Sequence, residues 1–112
     1  MTPFERALVA HLLADWLLQN DWMAMHKMSL KHPASWVHAL IHGLCLALAL
    51  NPVAGLVLGL VHLLIDTRVP LDWWMRVIKK CDKAPNREMI AVWTDQVMHI
   101  ASIAAWIAFL PP

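Results

Sequence analysis

Charged residues are scarce in this chain. Only 15% of its 112 residues are Asp, Glu, Lys or Arg, against roughly 25% in an average soluble domain. So small a globule has too few charged groups to cover its surface, which argues against an ordinary water-soluble fold. The length allows one domain, and the 60% hydrophobic content excludes disorder. A formal net charge of +1 gives no case for nucleic-acid binding.

Cysteine and glycine are also rare. Cys45 and Cys81 have no metal-ligand or redox spacing, so we interpret them as free thiols. The only three glycines, Gly43, Gly55 and Gly59, form no loop that could cradle a phosphate. They lie within apolar segments, where they are expected to ease the packing of one helix against another.

Long apolar runs, broken by prolines, predict four helices. No alternation of polar and apolar residues indicates a strand. The first helix is expected to begin with a capping box formed by Thr2 and Glu5. Pro111 and Pro112 are expected to end the last helix. The predicted helices cover about residues 3–20, 34–50, 53–69 and 87–110.

The length of these helices predicts membrane spans. Each has about 16–24 residues, where a bilayer core needs about 20. A soluble four-helix bundle is the alternative, but the second and third helices are apolar all round. The predicted fold is therefore all-α: a polytopic membrane protein with a single transmembrane domain over residues 1–112, built as an antiparallel four-helix transmembrane bundle. A short interfacial helix over residues 70–80 is predicted between the third and fourth helices.

Basic residues predict the orientation of this bundle. Eight of the nine Lys and Arg residues fall in the connections 21–33 and 68–87, on one side of an up-down-up-down arrangement. The positive-inside rule makes that side cytoplasmic and places both termini outside. The lipid bilayer is then a partner of the whole chain.

Each predicted helix carries one pair of potential metal ligands four residues apart. This spacing puts both side chains on one helix face, and antiparallel packing brings the four pairs to the cytoplasmic half of the bundle. A buried ionised Asp needs a partner, and the partners at this depth are His or a bound cation. The predicted metal ligands are His11, Asp15, His38, His42, His62, Asp66, Asp95 and His99.

Imidazole and carboxylate ligands indicate a divalent transition metal. Zinc is preferred, with manganese or iron as alternatives. Eight candidates exceed the needs of one tetrahedral ion, so we expect one ion or two ions bridged by an Asp. The alternative for some candidates is that they do not bind the metal but form hydrogen bonds that orient the residues that do. Gln19 and Gln96 flank the pairs and either bond to the site or satisfy helix contacts.

The polar motifs resemble those of a known family. The runs HLLADWLLQNDWMA, HALIH, HLLID and TDQVMH are together similar to small bacterial and phage membrane proteins known only as a domain of unknown function. The resemblance spans nearly the whole chain and implies a multi-pass protein of the bacterial inner membrane. In site type the chain is more distantly similar to membrane-bound metal-dependent hydrolases, which is an analogy of site alone.

The first functional hypothesis is a metal-dependent hydrolase acting on a phosphoester or lipid-like substrate at the cytoplasmic face. Asp15, Asp66 and Asp95 are the candidates for the catalytic carboxylates, with one that does not bind metal as general base. The predicted substrate-binding residues, which would hold an anionic group, are Lys27, Arg68, Gln19 and Gln96.

Three other functions remain open from the sequence. The same ligands would serve a non-enzymatic metal or proton handler, such as a transporter or sensor subunit. A haem protein would explain the histidines but not three buried aspartates. The Trp-rich segments would suit a protein whose role is to bind a partner in the membrane. Four short helices are too few to shield eight polar side chains from lipid. A homodimer, in which a second copy of the chain covers them, is therefore a further hypothesis.

Overall fold

The first helix, α1, begins at the predicted capping box. In the computed structural model, which describes residues 1–110, α1 spans Pro3–Leu12. The Thr2 hydroxyl accepts the Glu5 N–H at 3.1 Å, and the Glu5 carboxylate accepts the Thr2 N–H at 3.2 Å. The helix then widens into a single π-helical turn, Leu13–Leu17. Such turns are frequent at functional sites, and this one carries Asp15.

A short second helix lies where the sequence predicted only a connection. Helix α2 spans Asp21–His26. The side chain of Asn20 caps it by accepting the Met23 N–H at 3.0 Å. The cap satisfies a backbone donor that the helix itself cannot pair. The first connection is therefore an ordered turn of helix beside α3.

Helices α3 (Pro33–Ala49) and α4 (Pro52–Asp66) form the tightest pair in the fold. Their backbones touch at the three glycines. A Cβ added to Gly59 would lie 3.1 Å from Gly43 Cα, and one added to Gly55 would lie 2.8 Å from the backbone nitrogen of Ala47. The absence of side chains at these positions permits the close approach, as the sequence predicted for the glycines.

The segment after α4 packs on the last helix. Helix α5 spans Val69–Trp73 and continues into a second π-helical turn, Trp74–Ile78. Leu71 and Met75 are fully buried against Ala91. The sequence predicted an interfacial helix, whose apolar side chains would lie in lipid. In the structure, Leu71 and Met75 instead contact protein.

Helix α6 spans Arg87–Phe109 and is the longest in the structure. Its first residue ties it to α5, because Arg87 donates hydrogen bonds to Asp72 at 2.8 Å and to Asp82 at 3.2 Å. The predicted helix stop at Pro111 and Pro112 lies outside the described residues.

Four elements close into a ring. Helix α1 contacts α3 and α6, and α4 contacts the same two helices. One end of the ring is filled by apolar side chains: Ala7, Ala10, Leu46, Ala54, Leu58 and Ile103. The other end is filled by histidines and aspartates. The radius of gyration is 14.0 Å, close to the roughly 13 Å of a compact domain of this length.

The predicted four-span transmembrane bundle is wrong. Within residues 1–110, α6 alone is long and apolar enough to cross a membrane, and a second candidate requires counting α4 and the segment bent 53° from it as one span. Helix α4 has 15 residues, or about 22 Å at about 1.5 Å per residue. A hydrocarbon core is about 30 Å thick. The prediction overestimated the first helix, whose α-helical geometry ends at Leu12, and the third, which ends at Asp66.

Candidate metal centre

The four pairs of predicted ligands meet at the polar end of the ring. Each of the four ring elements brings two of them, since a spacing of four residues places both side chains on the inner face. Every one of the eight is at most 8% exposed to solvent. The sequence predicted this grouping by depth, and the structure places all eight side chains in one buried cluster.

One group of four side chains surrounds a single point. The Oδ1 atom of Asp15 lies 3.2 Å from His38 Nε2, 3.6 Å from His42 Nε2 and 3.9 Å from His62 Nε2. The four ligand atoms all lie within 4.8 Å of one another. Ligands about 2.1 Å from a tetrahedral zinc ion are about 3.4 Å apart. These buried side chains could therefore hold a metal ion.

A second group shares His62 with the first and adds Asp66 and His99. The two oxygens of Asp66 face different partners. Oδ2 lies 2.8 Å from His62 Nε2 and 3.3 Å from His38 Nε2, while Oδ1 lies 3.4 Å from His99 Nε2. Asp66 is therefore the carboxylate that reaches both groups.

Several of these close approaches are not hydrogen bonds. Within the part of the chain that the structure describes, Nε2 of His42, His62 and His99 and both oxygens of Asp66 are buried without a hydrogen-bond partner. Leaving a buried polar atom unpaired costs about 1–3 kcal/mol. A shared cation would satisfy these atoms together, because a neutral imidazole with its proton on Nδ1 presents a lone pair at Nε2.

Hydrogen bonds outside the two groups orient some of the ligands. His99 Nδ1 donates to the Asp95 carbonyl oxygen at 2.7 Å, so in the neutral imidazole the lone pair is on Nε2. The Gln96 amide donates to Asp15 Oδ2 at 2.7 Å and accepts a hydrogen bond from His11 Nε2 at 3.0 Å. Such contacts fix the tautomer and direction of a ligand.

Two predicted ligands lie beside the groups rather than in them. His11 uses its Nε2 to donate to Gln96, and its ring centroid lies 4.9 Å from that of His42. Asp95 accepts from the Gln96 amide at 3.3 Å and lies 3.5 Å from His99 Nδ1. The described residues thus place six of the eight candidates in the two groups.

The surroundings of Asp15 and Asp66 favour the ionised form of both carboxyl groups. Burial by itself raises the pKa of Asp15 and of Asp66. Close contacts with neighbouring histidines, with His38 the strongest contributor to both, outweigh burial and hold the pKa of each carboxyl far below its usual range. The centre therefore carries two negative charges that need buried cations.

The imidazoles divide into two kinds. Burial lowers the pKa of every one, but contacts with the carboxylates reverse this for two of them. Asp66 and Asp95 raise the pKa of His99 to about 10, and that of His38 is also raised. Burial dominates elsewhere: it lowers the pKa of His42 to about 4 and that of His62 well below its usual value.

We expect the metal-free protein to be most stable near pH 6.5. In the folded state the pKa of His42 is about 4, against an ordinary 6.5. The contribution of His42 to the free energy of unfolding is therefore lost as pH falls through this range. The folded-state pKa of His99 is about 10. The contribution of His99 to the free energy of unfolding is therefore present below pH 6.5 and lost as pH rises through 10. Thermal melts with chelator across this range measure both limbs. His99→Gln should flatten the alkaline limb, and an unchanged alkaline limb in that variant would contradict the assignment.

A small cavity opens onto the centre from outside. Its volume is about 140 Å³, and its wall contains all four predicted substrate-binding residues and all three predicted catalytic carboxylates. The sequence predicted these residues from their chemistry and their side of the bundle. The structure places them around one opening.

The comparison with known proteins gives one match. Residues 4–111 match a family described as "Protein of unknown function (DUF3307)". The chain belongs to this family. The resemblance to an uncharacterised family is thus confirmed over nearly the whole chain, while the family description names neither a membrane location nor a hydrolase activity. No curated protein and no solved structure matches.

In this DUF3307 chain, two residues near the opening were missed by the sequence analysis. Trp16 lines the cavity and is 81% exposed. Glu88 accepts a hydrogen bond from Arg68 at 3.3 Å. Trp16 directly follows a predicted ligand, which was a signal of its position. Nothing in the spacing of Glu88 indicated that α6 would bring it to Arg68.

Proposed function

We propose that this protein binds a divalent transition metal and uses it to hydrolyse a phosphoester. The observation that carries the proposal is the convergence of unpaired Nε2 and carboxylate atoms on shared points. Neutral imidazole and carboxylate together suit zinc, with manganese or iron as alternatives. Zinc is preferred because the first group offers the four ligands of a tetrahedral ion.

The arrangement of Asp66 favours a second ion next to the first. One Nε2 atom binds one ion, so the two groups compete for His62. We assign His62 to the first group, which leaves Asp66 and His99 for the second ion. Pairs of ions about 3.5–4 Å apart and bridged by a carboxylate are common in phosphoester hydrolases. The second ion would have open positions, where water or substrate could bind.

Asp95 is our candidate for the general base. It lines the cavity, lies outside both ligand groups and is held by the Gln96 amide. A bound cation would polarise a phosphoryl oxygen and acidify a water molecule. The water oxygen forms a bond to phosphorus while the ester oxygen leaves with the electron pair of the broken bond. Asp95 takes the proton of the water and passes it to the leaving oxygen.

Metal analysis tests this proposal first. Protein purified without chelator is expected to contain one or two zinc, manganese or iron ions per chain. Asp95→Asn should keep this metal and lower kcat for phosphoester hydrolysis by about 100-fold or more, as for loss of a general base. Asp21→Asn, an exposed carboxylate on α2, is the control. Protein without metal would overturn the proposal, and metal without hydrolysis would support the non-enzymatic alternative instead.

A further inference from the structure

The basic residues that line the cavity are more exposed than its acidic residues. Asp15, Asp66 and Asp95 lie in its wall beside the centre, and Lys27 and Arg68 are the two basic residues that line it. Lys27 follows α2, and Arg68 lies between α4 and α5. The Lys27 ammonium lies close enough to Asp15 to lower the pKa of that carboxyl. The two basic side chains are therefore the more accessible charged groups for an anion in the cavity.

Arg68 has an unusual backbone at this position. Its φ of 66° and ψ of 4° are left-handed, a conformation that costs a residue with a side chain about 1–2 kcal/mol. Such residues cluster at active sites and ligand clamps. The side chain of Arg68 is 24% exposed and contacts Glu88 through one nitrogen, Nη1. A guanidinium has five N–H donors, so most remain for a ligand.

Gln19 adds a polar group without a partner. It lines the same cavity, and within residues 1–110 its Oε1 atom is buried and accepts no hydrogen bond. An amide can accept from a protonated phosphoryl oxygen or, turned by 180°, donate to an ionised one. This unpaired atom is a second, independent indication that a polar ligand binds here.

The size of the cavity limits the ligand. Its volume of about 140 Å³ is less than half the roughly 300 Å³ at the lower end of ordinary ligand pockets. One phosphoryl group fits, and the remainder of the ligand would lie outside, next to the exposed ring of Trp16. A phosphodiester carries substituents on both sides of phosphorus, which suits this narrow opening less well.

We infer that the cavity binds the terminal phosphoryl group of a phosphomonoester, with Lys27 and Arg68 on its oxygens and Gln19 completing the contact. The inference rests on the proposed function and narrows its substrate from phosphoesters to monoesters. A monoester carries a charge of about −1.5 to −2 at pH 7, and the two basic residues that line the cavity match this charge. A diester carries a single negative charge. A soluble monoester and a lipid headgroup such as phosphatidic acid share this chemistry.

Phosphate binding to the zinc-loaded protein tests the inference. Calorimetry with inorganic phosphate should detect binding, and Arg68→Gln and Lys27→Gln should each weaken it about 10-fold or more, the effect of losing a charge-assisted hydrogen bond. Both variants should retain zinc. Arg68→Lys should restore part of the affinity. Arg76→Gln, an exposed residue of the second π-helical turn, is the matched control and should bind phosphate normally.

Substrate preference gives a second readout. Hydrolysis of p-nitrophenyl phosphate should exceed that of bis(p-nitrophenyl) phosphate at least 10-fold in kcat/KM, on the order of 1.4 kcal/mol in transition-state free energy. A parallel arm uses phosphatidylcholine vesicles containing phosphatidic acid. Turnover of the vesicles alone assigns a lipid source, turnover of the soluble ester alone assigns a soluble source, and either supports the monoester class.

The outcomes separate the two proposals. A protein that holds zinc but binds no phosphate, or that prefers the diester, overturns this inference and leaves the metal centre intact. Equal loss of phosphate binding in Arg76→Gln and Arg68→Gln would also overturn it, because binding would then follow net charge and not the cavity. A protein that holds no metal overturns the proposed function itself.

Discussion

Replacing Asp66 with asparagine is expected to lower the affinity for the second zinc ion by at least about 100-fold, since loss of an outer partner of a ligand already costs about 10–100-fold. Asp66 is the residue whose two oxygens face His62 and His38 on one side and His99 on the other. Asparagine has nearly the same shape but no charge, so the change removes a ligand with little effect on packing. Zinc titration of the metal-free variant against a chromophoric chelator measures the loss.

Asp95→Asn is the matched control for this experiment. Asp95 is also a buried carboxylate of the cluster, but it lies outside both ligand groups. We expect this variant to bind zinc within a few-fold of the wild-type protein. Equal loss of zinc from both variants would show that the centre responds to total charge, and the ligand assignment would be wrong. Circular dichroism of both variants checks that the helices remain.

Replacing Gly55 with alanine is expected to lower the free energy of unfolding by about 3 kcal/mol, at the upper end of overpacking effects. The added Cβ would lie 2.6 Å from Ala47 Cβ and 2.8 Å from Ala47 N, and closer still to the Gly43 carbonyl oxygen. Two of these neighbours are backbone atoms, which cannot move without separating α3 from α4. Urea denaturation of the metal-free protein measures the change.

Gly59→Ala tests the same helix pair at a roomier position. Its Cβ would meet its nearest atoms, Gly43 Cα and the Ala39 carbonyl oxygen, at 3.1 and 3.3 Å. The gain in helix propensity, about 1 kcal/mol from glycine to alanine, offsets this tighter contact, so we expect little net change. Because α3 and α4 carry four of the six grouped ligands, Gly55→Ala should also weaken zinc binding. A Gly55→Ala protein as stable as Gly59→Ala would contradict the close backbone contact.

Much of the helical pattern could be predicted from local signals. Capping residues act over a few residues, so Thr2 marks the start of the first helix correctly. The breaks were harder to predict. The widening of the helix at Leu13–Leu17 falls inside an apolar run whose composition would equally suit an uninterrupted α-helix, and the left-handed backbone of Arg68 has no local signal. The first and third predicted helices were therefore too long, which contributed to the wrong four-span bundle.

The candidate site was predictable only in part. Spacing alone determined that each pair shares a helix face, because the geometry of a helix fixes the direction of residues four apart. Packing between helices decided which atoms meet. It brought Asp66 within reach of both groups and turned His11 towards Gln96. No local rule carries that information.

The sequence by itself determined that this is an all-helical chain of one domain with histidine and aspartate pairs on four helix faces. Propensity, capping and periodicity depend on neighbours within a few residues, and they suffice for these features. The tertiary structure alone decided the ends of the first and third predicted helices, the selection of six grouped ligands and the placement of Lys27 and Arg68 on one cavity. Those features depend on contacts between residues far apart in the chain, whose distances and angles the sequence does not display.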